Sequence, residues 1–173
     1  MGHHYGDFMR KRKYVMVSGG FDPIHVGHVR MIQEAARHGD GLFVVLNSDD
    51  WLRRKKGYVF MPWEERAEII RSIYGVADVI AVDDADGTVC EALHRIKPAY
   101  FANGGDRTNN NTPEMQVCDE LDIEMIWNIG GGKIQSSSDL VHRADKASAR
   151  PPSPGLTETQ QIDLFESWYL KRP

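Results

Sequence analysis

The sequence predicts an α/β protein in which a parallel five-stranded sheet lies between two layers of helices. Apolar segments of strand length alternate with helical patterns five times along the chain, and such alternation is typical of parallel sheets with helical crossovers. The 173 residues are enough for one domain with its own core, and 41% apolar and 27% charged residues are ordinary for a globular protein. The prediction is therefore a three-layer α/β/α domain.

The elements follow in a regular order along the chain. Five segments have the length and apolar character of buried strands: 14–17, 42–46, 78–82, 100–102 and 123–129. Helical patterns are predicted to begin near Val26, Pro62, Val89, Pro113 and Asp139. Residues 1–13 are predicted to be a polar extension and 14–145 the folded domain. Residues 146–173 are predicted to be a Pro-rich linker with a short helical tail.

Composition excludes several classes of function. A net charge of −4 carries no general signal for nucleic-acid binding. Two cysteines in different segments indicate a reducing compartment rather than a disulfide framework. Because there is neither an 18-residue apolar run nor a signal-peptide core, we expect a cytoplasmic protein without a membrane partner. His3 and His4 are given no metal role.

The most informative stretch follows the first strand. Ser18, Gly19 and Gly20 are expected to let the backbone turn sharply and approach a ligand closely. The helix that begins near Val26 then presents unpaired N–H groups, which favour an anion. His25 and His28 are three residues apart and should face one another across its first turn.

Two histidines at this spacing also allow simpler interpretations, in which they lie in a loop or belong to a zinc site. Zinc needs three or four ligands, and neither Cys90 nor Cys118 has a partner at ligand spacing. The strand, the glycines, Asp22 and Pro23 in this order favour a phosphate site instead.

The segment GGFDPIHVGH resembles the HxGH signature of a nucleotidyltransferase superfamily. That superfamily includes glycerol-3-phosphate cytidylyltransferases, pantetheine-phosphate adenylyltransferases and heptose-phosphate adenylyltransferases. The resemblance implies a Rossmann-like, doubly wound sheet over residues 14–145. It also implies that His25 and His28 stabilise charge on a nucleotide phosphate, and that Asp22 orients a histidine or assists a metal. The nucleotide-binding residues implied at this turn are Gly19, Gly20, Phe21, Asp22 and Gly27.

The basic run 53–56 follows the second strand and is expected to lie in a loop. Taken alone, such a run is most simply a solvated surface. Placed after a parallel strand, it reaches the edge of the sheet where ligands bind. In the superfamily a lysine here contacts the triphosphate; the resemblance assigns Lys56 to that catalytic role, with Lys55 as the reserve.

A second glycine pair, Gly104 and Gly105, follows the fourth strand, with Asp106 placed to accept from a ribose hydroxyl or hold a metal. The loop resembles the KGGDY element of heptose-phosphate adenylyltransferases. Asn103 stands where that pattern has lysine and Arg107 where it has tyrosine, so the identity of the acceptor is in question.

Two further segments complete the predicted site. Ser136, Ser137 and Ser138 precede a helix and resemble the ISTS or STT motif that closes the nucleotide site, although a plain N-cap cluster has the same pattern. Lys133 is a candidate phosphate contact. Arg66 is expected either in a helix-surface ion pair or in contact with substrate or an interface.

Together, these resemblances predict transfer of a nucleoside monophosphate from a triphosphate to a phosphorylated sugar or polyol, with release of pyrophosphate. ATP is favoured, and CTP with an alcohol phosphate or phosphonate is the alternative. Mg²⁺ is expected with the triphosphate, without a protein metal cage, and a homodimer is expected. A non-catalytic nucleotide-binding module is disfavoured because His25, His28 and Lys56 are all present. A tRNA synthetase fragment is disfavoured because KMSKS is absent.

Overall fold

The computed structural model describes residues 12–104, 112–132, 135–148 and 159. The predicted extension, apart from residues 12 and 13, and the predicted tail, apart from residues 146–148 and Thr159, lie outside these ranges. The chain divides into two compact units, Met1–Leu140 and Val141–Pro173. In the second unit, residues 141–148 are helical, so the segment predicted as a linker begins with helix.

In the described residues, strands and helices alternate as the apolar pattern predicts. The strands are β1 (Tyr14–Gly19), β2 (Gly41–Leu46), β3 (Val76–Ala81), β4 (Tyr100–Gly104) and β5 (Glu124–Ile129). The helices are α1 (Val26–Ala36), α2 (Asp49–Lys56), α3 (Trp63–Arg71), α4 (Cys90–Ile96), α5 (Pro113–Glu120) and α6 (Ser137–Ser148). The strands pair in parallel in the order β3-β2-β1-β4-β5, which confirms the predicted Rossmann-like α/β fold.

Two apolar cores cover the two faces of this sheet. Val15 and Val17 of β1 pack with buried residues of α1 and α3, whereas Met16 between them packs with buried residues of α4 and α5. The alternation follows from the period of two along a strand. Because both faces are covered, the central strands are apolar throughout.

The strand order places the candidate loops together. From β1 the chain proceeds to β2 on one side, while β4 lies on the other side of β1. The connections after β1 and β4 therefore diverge, and a crevice opens at the carboxyl ends of these strands. The HxGH turn begins at this crevice, where β4 also ends at Gly104.

The basic run is helical, so the predicted loop at this position is wrong. Ser48 caps α2 by accepting from the N–H of Trp51, and Gly57 ends it in the left-handed conformation (φ 83°). Asp49 and Asp50 lie in the first turn and the basic residues in the last, an arrangement that favours a helix electrostatically. Only Leu52 of the helix is buried, so its apolar periodicity is too weak to be recognised in the sequence.

Candidate active site

A cavity of about 490 Å³ opens at the carboxyl ends of β1, β4 and β5. It is bounded by the turn after β1, the start of α1, the end of α2, the end of β4 and the connection from β5 to α6. Its lining residues are Ser18, Gly19, Phe21, His25, Gly27, His28, Met31, Lys55, Lys56, Gly104, Ile129, Gly130, Gly131, Gly132, Gln135, Ser136, Ser137 and Ser138. The cavity thus brings together the HxGH turn, both lysines and the serine cluster.

The two histidines form a stacked pair at the N-terminus of α1. Their ring centroids are 3.7 Å apart and the ring planes differ by 19°, as the three-residue spacing predicts. His25 is the N-cap residue; its Nδ1 accepts from the N–H of Gly27 at 3.1 Å, and His28 Nδ1 accepts from the N–H of His25 at 3.3 Å. A ring that accepts at Nδ1 carries its proton on Nε2 when it is neutral. Backbone contacts therefore set the tautomer of both rings.

His28 is neutral over the physiological range. Burial lowers its pKa from 6.5 to about 3, and the charges of His25 and Lys56 add to the effect. Phe21 contributes to the burial, since its ring meets the His28 ring edge-on at 5.1 Å. A neutral imidazole with Nε2–H is a hydrogen-bond donor that brings no charge into the cavity.

Lys55 and Lys56 both reach the cavity, but in different environments. Lys56 Nζ donates to the Asp22 carbonyl at 2.8 Å, and its pKa is lowered chiefly by burial. Lys55 is exposed, and its Nζ lies 4.6 Å from the centroid of the Trp51 ring. The cavity therefore has one tethered and one exposed ammonium group.

Asp22 does not orient a histidine, contrary to expectation. The side chain is fully buried, and its carboxylate accepts from the N–H groups of Phe60 at 2.8 Å and Met61 at 2.7 Å. Among the described residues, Asp22 is not part of the cavity lining. Asp22 instead fixes the segment between α2 and α3.

Arg66 is buried, so the expected ion pair on the helix surface is wrong. Its side chain has 0% exposure, which leaves no accessible group for a substrate contact. The guanidinium donates to the carbonyls of Met61, Gly20 and Asn47 and pairs with Asp49. Arg66 organises the loops that support the cavity.

The glycines after β1 make room for the chain's own side chains. A Cβ at Gly19 would lie 3.1 Å from the Phe21 ring, and one at Gly20 would lie 2.8 Å from Leu52. The unusual backbone conformation belongs to Phe21, with φ 48°. Among the described residues, Gly20 is not part of the cavity lining, and its nucleotide contact stays a prediction.

The serine cluster lines the same cavity as the HxGH turn. Helix α6 begins at Ser137, two residues before the predicted start. Ser137 is buried and its hydroxyl donates to the Pro23 carbonyl at 2.9 Å, whereas Ser136 Oγ accepts from the N–H of Asp139 at 3.3 Å. Ser138 is exposed. Ser136 is thus a helix cap as well as a lining residue, and Ser137 joins the two sides of the cavity.

Of the predicted segment 103–107, the structure describes only Asn103 and Gly104, which end β4. Gly104 lines the cavity, while Asn103 has 4% exposure and donates to the Phe101 carbonyl at 3.4 Å. This burial argues against the predicted substrate contact of Asn103. Gly105, Asp106, Arg107 and Lys133 lie outside the described residues.

Sequence reasoning missed part of the cavity wall. Gly130, Gly131 and Gly132 follow β5 and line the cavity, and the rule used for Gly104 would have identified them, since they follow a parallel strand. The N–H of Gly130 donates to Glu34 of α1 at 3.0 Å. This bond fixes the β5 connection to the helix that carries His28.

Sequence reasoning also missed Asp84, which is not among the described residues that line the cavity. It has 3% exposure and accepts from Asn47 Nδ2, the Ser48 N–H and the Ser48 hydroxyl at 3.1, 2.8 and 2.6 Å. Because Ser48 caps α2, Asp84 fixes the start of the helix that bears the lysines. An acid within the sequence DDADG gives no indication of this role.

The described residues show neither a metal-ligand cluster nor a membrane-spanning helix. Within them, no three His, Cys, Asp or Glu side chains are grouped so that they could hold a metal ion. No helix there has the length and apolarity to cross a bilayer.

The sheet order and the cavity define a doubly wound α/β protein with a candidate ligand site at its topological switch point. A family model described as cytidylyltransferase-like matches residues 16–129, which is more than half of the chain and runs from within β1 to the end of β5. The chain therefore belongs to the cytidylyltransferase-like family of nucleotidyltransferases.

Curated relatives agree with this membership. The bifunctional protein HldE of Geobacter metallireducens is 32% identical over 139 residues, which cover 78% of this chain and 28% of that protein. HldE of Syntrophotalea carbinolica is 39% identical over 142 residues, covering 78% and 27%. The FAD synthase of Pyrococcus abyssi is 35% identical over 98 residues, covering 56% and 66%. The chain thus spans little more than a quarter of the length of these HldE proteins.

A solved structure has the same fold. The lipopolysaccharide core biosynthesis protein from Thermoplasma volcanium matches with a TM-score of 0.59 and 24% identity, covering 71% of this chain and 100% of that chain. At this identity the likeness concerns the fold.

Proposed function

We propose that this protein transfers the AMP group of ATP to a phosphorylated sugar or polyol and releases pyrophosphate. The stacked His25–His28 pair carries the proposal, because it lines one cavity with Lys55, Lys56 and the serine cluster. Donors of this kind suit a reaction in which negative charge builds on a phosphate group.

In the proposed reaction, a phosphate oxygen of the acceptor attacks the α-phosphorus of the triphosphate. A new P–O bond forms as the bond from the α-phosphorus to the bridging oxygen breaks, and pyrophosphate leaves with that electron pair. The attacking phosphate is already an anion at neutral pH, so no protein base is required. The protein contributes position and charge stabilisation.

Four side chains of the cavity lining have a role in this scheme. His25 and His28 donate from Nε2 to α-phosphate oxygens, and these bonds strengthen as charge accumulates. Lys56 stabilises the departing pyrophosphate, for which its position at the end of α2 is suitable. The exposed hydroxyl of Ser138 and the N-terminus of α6 face the β- and γ-phosphates.

Mg²⁺ enters this proposal as part of the substrate. A triphosphate binds Mg²⁺ through its own oxygens, and the ion neutralises part of its charge.

The choice of ATP over CTP rests on resemblance. Residues 47–49 (NSD) and 104–106 (GGD) resemble segments of heptose-phosphate adenylyltransferases. FAD, named as the product of the Pyrococcus abyssi relative, contains an AMP half. The alternative is a CTP-dependent enzyme that acts on an alcohol phosphate or phosphonate, which is supported by the cytidylyltransferase-like family model.

A turnover screen tests the proposal. The four nucleoside triphosphates, each with Mg²⁺, are incubated with a panel of sugar and polyol phosphates, and released pyrophosphate is measured. ATP with a sugar or polyol phosphate should give acceptor-dependent release. Release with CTP and an alcohol phosphate alone would establish the alternative. Binding of triphosphate without any turnover would indicate a non-catalytic nucleotide-binding module. The expected homodimer stays a prediction, which light scattering tests.

A further inference from the structure

Helix α1 is bonded to the cavity wall that follows β5. Met31 is three residues from His28 and Glu34 is three from Met31, so each side chain is a neighbour of the next on the helix surface. His28 and Met31 line the cavity. The half-buried carboxylate of Glu34 accepts from the N–H of Gly130 at 3.0 Å, across 96 residues of sequence.

This bond holds Gly130 on the helix. Gly130 has φ 87°, and a Cβ there would lie 2.8 Å from Met31 Cβ, so its backbone rests directly against α1. Gly131 and Gly132 follow it and line the cavity with it, whereas Glu34 is not among the described residues of the lining. Glu34 therefore acts on the cavity through the backbone that it holds, by setting the distance between α1 and this wall.

The wall held by Glu34 differs chemically from the rest of the cavity. Met31, Ile129 and the three glycines that follow it have no charged side chain and no side-chain donor. The cationic, imidazole and hydroxyl groups that suit phosphates belong to the HxGH turn, the end of α2 and the start of α6. An uncharged wall made largely of backbone suits a flat heterocycle, which apolar contacts and a few backbone hydrogen bonds can hold. A nucleotide whose phosphates lie at the cations therefore leaves its nucleoside for this wall.

We infer that Glu34 is a positioning residue for the nucleoside part of the substrate. The inference rests on the proposed function, which supplies the nucleotide, and adds to it a residue outside the described cavity lining. Without Glu34 the connection after β5 loses a charge-assisted anchor. The wall must then be ordered when a nucleotide binds, and that ordering lowers affinity.

Calorimetry on the full chain tests this inference with two probes, ATP and inorganic tripolyphosphate, each with Mg²⁺. Glu34→Ala should weaken ATP binding about tenfold but change tripolyphosphate binding less than about twofold, because tripolyphosphate has no nucleoside. Loss of the carboxylate charge would instead strengthen the binding of both anions. A weakening confined to ATP is therefore not an effect of charge. If the wild type binds only CTP, CTP replaces ATP in the comparison.

Two further variants are controls. Glu34→Gln keeps an acceptor oxygen without the charge, and it should bind ATP within about twofold of the wild type. Gln33→Ala truncates the exposed side chain next to Glu34 on the same helix, and it should bind both probes like the wild type. Equal losses of ATP affinity in Glu34→Gln and Glu34→Ala would overturn the role of the hydrogen bond.

Kinetics separate a positioning role from general damage to the site. Glu34→Ala should raise KM for the nucleotide about tenfold and leave kcat within about twofold, as expected when binding common to the ground and transition states is lost. A lower kcat with unchanged KM would contradict the assignment to the nucleoside. Equal weakening of ATP and tripolyphosphate would contradict it as well.

The outcomes distinguish this inference from the proposed function. If Glu34→Ala binds ATP like the wild type, the inference is overturned even when pyrophosphate is released in the turnover screen. If Glu34→Ala weakens ATP binding and no acceptor reacts, the positioning role stands and the proposed reaction fails. A wild type that binds neither ATP nor CTP would overturn both. Thermal unfolding midpoints of all variants verify that they are folded.

Discussion

The two ring nitrogens of His28 have different environments. Nδ1 accepts from the N–H of His25 and completes the start of α1, and Nε2 is left as the proton-bearing nitrogen. The sequence predicted the pairing of the two histidines from their spacing. It did not predict that His25 caps the helix, because histidine is not among the usual capping residues.

We expect His28→Asn to lower kcat roughly 10²- to 10³-fold, because it removes the Nε2–H donor. The asparagine oxygen can still accept from the N–H of His25, so the free energy of unfolding should change little. His94→Asn, at an exposed position of α4, is the control and should retain full activity. Near-normal kcat in His28→Asn would exclude the catalytic role of the ring.

A stability measurement at several pH values tests the burial of the same ring. Folding lowers the His28 pKa from 6.5 to about 3. Above pH 6.5 the ring is neutral in both the folded and unfolded states. Below it, the unfolded chain binds a proton that the folded chain does not, so the free energy of unfolding should fall as pH falls toward 3.

Urea unfolding between pH 7 and pH 4 measures this dependence. On acidification, His28→Asn should lose less stability than the wild type. The slopes of the free energy of unfolding against pH should differ by at most about 1.4 kcal/mol per pH unit, which corresponds to one bound proton. Parallel stability profiles for the two proteins would show that the ring is accessible to protons in the folded state.

At the scale of elements, the connection from β5 to α6 is fixed to α1 at close range. Gly130 has φ 87°, and a Cβ there would lie 2.8 Å from Met31 Cβ. Gly131 also has positive φ, 69°, but a Cβ there would have nothing within 4 Å. Substitutions at these two glycines therefore distinguish the cost of backbone strain from the cost of packing against the helix.

Gly131→Ala should lower the free energy of unfolding by about 1–2 kcal/mol, the cost of the left-handed conformation for a residue with Cβ. Gly130→Ala should cost about 1–3 kcal/mol more, because α1 must also move away. Guanidinium unfolding compares the two variants. Equal losses would mean that the β5 connection is not packed tightly against α1.

Helix α2 shows what local patterns can predict about an element. Its cap, its charges and its terminal glycine are helix signals, but with only Leu52 buried it lacks the apolar stripe on which helix prediction depends. Its start is fixed by Asp84, 36 residues away from Ser48 along the sequence. A contact across this separation has no local signature.

Across the whole molecule, Arg66 connects the segments that form the base of the cavity. Its guanidinium binds the carbonyl of Gly20 after β1, that of Asn47 after β2, and that of Met61 before α3. Asp22 supports the same region through the N–H of Met61. A buried charge with this number of partners is costly to remove, since the partners are left unpaired.

Arg66→Met should therefore lower the free energy of unfolding by about 3–5 kcal/mol, and Arg66→Lys should not restore it, because an ammonium lacks the planar fork. Arg71→Met, which removes a half-exposed ion pair from the same helix, should cost less than about 1 kcal/mol. Urea unfolding compares the three variants. A loss for Arg66→Met no greater than that for Arg71→Met would contradict this role.

The sequence by itself determined the sheet, its helical crossovers and the family, because strand and helix periods and the HxGH turn are local patterns. It also placed the histidines, lysines and serines at one edge, since parallel strands all end on the same side. Only the tertiary structure decided which polar residues face the cavity and which are buried beneath it. Asp22, Arg66 and Asn103 are residue types that often bind ligands, but all three are buried. Asp22 and Arg66 bond to backbone groups that are distant in sequence, and no local pattern records such contacts.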